Sequence, residues 1–174
     1  MKKRIFGILL QLESLFLVLT SLVSLFYKEK DWWVFLLCAI ISFTIGAISI
    51  SIKKWEDKIN NHTHKYFSRA DSFMVVALTW VLFSIIGMIP FIEIAGMGIT
   101  DAFFETMSGF TTTGASILDN IEALPHGLLF WRSMTQWIGG MGIVIFTIAV
   151  LPIFGVGGIQ LFAAEATGPK FDKI

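Results

Sequence analysis

The stretch DAFFETMSGFTTTGA, residues 101–115, reads as a short helix that runs straight into three threonines, a glycine and an alanine. Thr100 and Asp101 are candidate N-caps for a helix predicted over Ala102 to Phe110, with Glu105 in its early turns and Gly109 near its end. Thr111, Thr112, Thr113, Gly114 and Ala115 are predicted to follow as an extended, β-branched stretch ended by glycine. The surrounding segment, Ala95 to Phe130, is too apolar for a simple external loop and too broken by Gly and Pro for a spanning helix. It is expected to dip into a membrane and return.

That pattern has a chemical reading. A dehydrated cation inside a membrane must exchange its water shell for oxygen ligands, and a backbone with carbonyls turned toward an axis supplies them at short intervals. Gly114 permits backbone angles forbidden to other residues, threonine hydroxyls add oxygens, and the preceding helix aims its negative C-terminal end at the ion. Non-helical backbone at membrane depth is tolerated only inside protein or along a water-filled cavity. On local sequence alone, a Ser- and Thr-rich turn on the outer surface remains the competing account.

The neighbouring charges favour a cation path. Between Arg69 and Arg132 there is no Lys or Arg, whereas Asp71, Glu93, Asp101, Glu105, Asp119 and Glu122 all lie there. All but Asp71 are expected on the outer side, with Glu105, Asp119 and Glu122 forming a mouth that attracts cations. Pro125 and His126 are expected to shape the return loop. Arg132 is expected at the outer end of its helix, snorkelling or paired with an acidic residue of the mouth. The cluster Gly139-Gly140-Met141-Gly142 permits close backbone approach or a bend.

Outward from the loop, the chain is that of a membrane protein. Of its 174 residues 55% are hydrophobic and only 15% charged, with mean hydropathy +0.76. Ile5 to Phe26, Trp33 to Ile52, Phe73 to Ile94 and Trp131 to Leu151 are each long enough to cross a bilayer, which takes about 20 residues. The first span is too long for a signal peptide and lacks a cleavage site, so it reads as a retained anchor. Basic residues before the first span, between the second and third, and after the fourth place both termini in the cytoplasm. Glu13 and Gln11 are expensive in lipid and are expected to face other helices.

Other features carry little. Cys38 is a small buried apolar filler, His62 and His64 lack a third ligand, and the Asn61 sequon falls in a segment expected inside. Charge is balanced, 13 basic against 13 acidic residues, so no global field suggests nucleic acid as a partner. No nucleophile with a base, paired carboxylates or phosphate loop supports an enzyme.

Residues 101–114, DAFFETMSGFTTTG, and 131–143, WRSMTQWIGGMGI, resemble the Trk/Ktr/HKT superfamily of cation transporters, nearest its bacterial potassium-uptake members. LFAAEATGP, 161–169, is similar to the segment that follows the first pore repeat there. The resemblance covers nearly the whole chain. It implies an all-α integral membrane fold, with an N-terminal hairpin (1–52), a cytoplasmic linker (53–72), one helix, re-entrant loop, helix repeat (73–151) and a cytoplasmic connection (152–174). Four such repeats would each give one quarter of a filter, so a partial chain is expected. It further implies potassium as the transported ion, bound by the carbonyls of Thr111, Thr112, Thr113 and Gly114, with Ala115 beside them. A cytoplasmic nucleotide-binding regulatory subunit, a homodimer of the complete protein and the lipid of the bacterial inner membrane are the implied partners. The loop lacks the tyrosine and second glycine of TVGYG filters, which leaves potassium over sodium selectivity open. Two other readings stay open: a small channel assembled from several copies, and a non-conducting membrane subunit.

Overall fold

The structure is a computed structural model that describes residues 2–59 and 69–150. The linker histidines, the Asn61 sequon and the connection at 152–174 lie outside those residues. Among the described residues six α-helices follow one another: α1 (Lys2–Phe26), α2 (Trp32–Ile59), α3 (Arg69–Gly87), α4 (Ile89–Ala95), α5 (Ile99–Phe110) and α6 (His126–Val150). A single 3-10 turn, Ile121–Ala123, precedes α6. The described residues contain no strand.

Helices α1 and α2 pair as a hairpin that, unlike a water-soluble bundle, buries polar side chains and exposes large apolar ones. Glu13, Thr20, Ser24 and Ser42 are fully buried, while Ile8, Leu15, Leu22, Ile40 and Phe43 are half exposed. Three of the hydroxyl side chains inside reach acceptors: Ser42 donates to Leu10 O and to Glu13 Oε2, Ser21 to Trp32 O, and Thr20 to Phe16 O. Lipid tails are as apolar as leucine, so helices in a bilayer join through small and hydroxyl residues, here beside the buried Leu10, Leu17 and Phe35, while many large aliphatic side chains face outward. Gly7 and Gly46 face each other at the crossing, where a Cβ on either would approach the other's carbonyl oxygen at about 2.6–2.7 Å.

The third span departs from the expected single helix over Phe73 to Ile94. It breaks at Met88 into α3 and α4, although Ala77–Ala95 together remain long and apolar enough to cross a membrane. Pro90 is the cause. It has no N–H to give to the preceding turn and is tolerated only in the first turn of a new helix, where it sits in α4. The amide of Phe91 goes to Met88 O. The carbonyl of Gly87 would then be orphaned, and the indole N–H of Trp131 on α6 donates to it at 2.9 Å. The broken helix is thus tied to α6.

Two boundaries also move. Helix α2 continues past Ile52 to Ile59, into the expected linker. Helix α6 starts at His126 rather than Trp131, directly after Pro125. Leu151, the expected end of that span, lies outside the described residues.

Candidate functional site

Helix α5 is cradled between α3 and α6, and its C-terminal end is closely packed. Phe110, its last residue, is fully buried with its ring centroid 5.5 Å from Phe83, 5.9 Å from Trp80 and 6.2 Å from Trp131. Glycine allows α6 to come this close. A Cβ on Gly139 would meet the Phe110 carbonyl group, and one on Gly109 would meet the Thr135 side chain. The start of α5 differs from expectation: Gly98, not Thr100 or Asp101, is the N-cap, and no side chain caps the helix. Asp101 lies in the first turn, where its charge suits the helix dipole.

The threonine run is not the extended stretch that its β-branched residues suggest. It winds back over the end of α5. Thr111 N donates to Met107 O at 2.9 Å, Thr112 N to Gly109 O at 2.9 Å, and Thr113 N to Ser108 O at 3.0 Å, with Gly114 N reaching the same oxygen at 3.4 Å. The paired bonds to Ser108 and Gly109 are those of a Schellman cap, which requires a left-handed residue at its turn. That residue is Thr112, with φ +57°, and Gly114 follows with φ +73°. Left-handed backbone is ordinary for glycine and an outlier for a β-branched residue.

This arrangement separates donors from acceptors. The amides of Thr111 to Gly114 all point back to the helix, whereas among the described residues none of their carbonyls accepts a hydrogen bond from the protein. All four residues are exposed. The hydroxyls are partly committed: Thr111 Oγ1 donates to Met107 O at 2.8 Å and pairs with Thr113 Oγ1 at 2.9 Å. Ala115 differs from its neighbours, since its carbonyl accepts from Ser108 Oγ at 2.6 Å.

Of the three residues expected at the outer mouth, Asp119 and Glu122 are exposed and Glu105 is not. Glu105 is 3% exposed. Its carboxylate faces inward because four contacts converge on it: Arg132 Nε at 2.8 Å, Ser116 Oγ at 3.1 and 3.0 Å, and the amide of Ile117 at 3.0 Å. Arg132 therefore has the acidic partner expected for it, but the pair lies behind the loop rather than at its rim.

One contact has no precursor in the sequence reading. Glu29, in the turn between α1 and α2, accepts the amides of His126 at 2.6 Å and Gly127 at 3.0 Å. It caps α6 from another part of the chain, and the His126 ring stacks on Tyr27 at 4.1 Å. Burial pushes the Glu29 pKa up, but the Gly127 and His126 amides outweigh it and hold the carboxyl below its ordinary value. The signal in the sequence is slight: a helix beginning right after Pro125 with no Ser, Thr, Asp or Asn to cap it needs an acceptor from elsewhere.

A hairpin with lipid-type polarity, followed by a broken helix, a short cradled helix with a carbonyl-bearing loop, and a glycine-rich closing helix, defines an all-helical integral membrane protein of the pore-loop class. Within it the chain belongs to the TrkH family, described as cation transport protein, whose model matches residues 39–174. It is 42% identical over 172 residues to the Trk system potassium uptake protein TrkH of Salmonella typhimurium, covering 98% of this chain and 34% of that protein. To the potassium uptake protein TrkG of Escherichia coli K12 it is 38% identical over 171 residues, covering 97% of this chain and 34% of that one. The crystal structure of the potassium transporter TrkH from Vibrio parahaemolyticus superposes with TM-score 0.74 at 34% identity, over 90% of this chain and 32% of that one. The chain thus spans about a third of the length of these relatives.

Proposed function

We propose that this chain provides the N-terminal hairpin and one quarter of the filter of a Trk-type potassium uptake transporter in the bacterial inner membrane, with both termini cytoplasmic. The carbonyls of Thr111, Thr112, Thr113 and Gly114 are the potassium ligands. Ala115 closes the loop, its own carbonyl being held by Ser108. Asp119 and Glu122 remain the residues of the outer mouth. Three further helix, loop, helix repeats complete the ring, and the complete protein works as a homodimer with a cytoplasmic nucleotide-binding subunit, as the family resemblance implies.

One observation carries this reading. Among the described residues the four successive carbonyls of Thr111 to Gly114 accept no protein donor, while the amides of the same four residues are satisfied, an arrangement of acceptors that suits a cation and repels an anion. The test is ion uptake by the complete transporter in cells lacking other potassium uptake. Gly114→Ser should leave membrane expression intact and lower potassium over sodium discrimination, while Thr113→Ser should change it little. Unchanged discrimination in a normally expressed Gly114→Ser protein would return the loop to the surface-turn account.

A further inference from the structure

The loop is held at both ends, and its two holds differ in kind. At its start the backbone is pinned to the end of α5 through the amides of Thr111 to Gly114. At its exit Ser108 holds the Ala115 carbonyl, and the Glu105 carboxylate holds the Ser116 hydroxyl and the Ile117 amide. Glu105 itself is fixed by Arg132 of α6 through its Nε. The exit hold is therefore an ionic bridge between the pore helix, the chain leaving the loop and the closing helix.

We infer that Glu105 and Arg132 are positioning residues for selectivity: the buried pair fixes Ser116 and Ile117, and thereby the direction of the Thr113 and Gly114 carbonyls. This inference rests on the filter reading above. Three features favour it over a role in attracting ions. The carboxylate is buried, its charge is matched at 2.8 Å by a guanidinium with a side chain only 19% exposed, and it accepts donors from the very residues that follow the loop. A matched buried pair adds little field at a distance but sets geometry, because guanidinium and carboxylate bond in fixed directions. Lysine in place of Arg132 would keep the charge and lose that direction.

The experiment measures potassium and sodium uptake by the complete transporter for Glu105→Gln, Arg132→Lys, Ser116→Ala and Gly114→Ser at matched membrane amounts. Glu105→Gln and Arg132→Lys should lower discrimination about tenfold, the scale of one lost charge-assisted hydrogen bond. Ser116→Ala sits on an exposed residue, leaves the ion pair intact and should lower discrimination about threefold, which keeps the test informative if the first two variants fail to fold. If Gly114→Ser loses discrimination while the expressed brace variants keep it, the brace is wrong and the filter reading stands. Should all four keep it, both fall. A loss of uptake in Glu105→Gln that fades with added salt, at constant discrimination, would also overturn the brace, since that is how a long-range charge behaves.

Discussion

Thr112 and Gly114, with φ of +57° and +73°, are the two residues on which the loop's shape depends. At Gly114 the need for glycine is conformational, not steric. An added Cβ would find only Gln136 Nε2 at 3.7 Å, an ordinary contact, so the clash that a tight filter suggests is absent. What an L-residue meets there is the backbone cost of left-handed φ, on the order of 1–3 kcal/mol. Substitutions should then rank by tolerance of that conformation. Gly114→Asn should be milder than Gly114→Ala, and Gly114→Val worst, as Asn visits left-handed φ readily and β-branched residues hardly at all. Thermal stability and uptake of the complete protein check the order. If valine does as well as asparagine, φ does not govern this position. Thr112 already bears such strain, which the cap bonds from Thr112 to Gly109 and from Thr113 to Ser108 must offset.

At the scale of elements, the packing of α6 on α5 resolves a glycine cluster that the sequence presents as a unit. Gly139 touches the Phe110 carbonyl, Gly142 lies against the Trp80 ring, and Gly140 has only Thr112 Cγ2 at 3.9 Å. Gly139→Ala should therefore push α6 off the pore helix and cost about 1–3 kcal/mol, whereas Gly140→Ala should be neutral or slightly stabilising. Thermal unfolding of the two variants in detergent decides it; equal effects would mean that the cluster acts as a bend. The contrast also marks what the sequence makes legible. Spans, the short helix ending at Phe110 and the partner for Arg132 follow from apolar length, glycine position and the expense of a lone charge near lipid. The break at Met88 is legible too, from Pro90, once the apolar run is not treated as uniform. The loop's conformation is not: β-branching argues for extension, whereas the chain caps α5 with Thr112 in left-handed backbone. Nor does charge reveal burial, since Glu105 and Glu122 look alike until helix rotation turns one toward Arg132.

For the whole molecule, the question is how the hairpin is joined to the unit that holds the loop. Its turn, Tyr27 to Asp31, and the start of α6 lie at the same end of the bundle, as alternating spans require. Glu29 makes the junction by capping α6, with 14% of its side chain exposed. Removing a cap of this kind costs about 0.5–2 kcal/mol, so Glu29→Ala should lower the melting temperature of the complete protein near pH 7. Glu29→Gln, which keeps one acceptor oxygen, should lose less. The pH dependence has a definite sign. Since folding depresses the Glu29 pKa, its stabilisation is present above the ordinary glutamate value of about 4.3 and disappears as pH falls through the lower, folded value. The gap in melting temperature between the native protein and Glu29→Ala should therefore hold from pH 7 down to about pH 5 and then narrow with further acid. A gap that stays constant into acid would show that the carboxylate's charge has no part in the junction. In that case the stacking of His126 on Tyr27 and the packing of Gly127 against Ser24 would be what holds the hairpin in place.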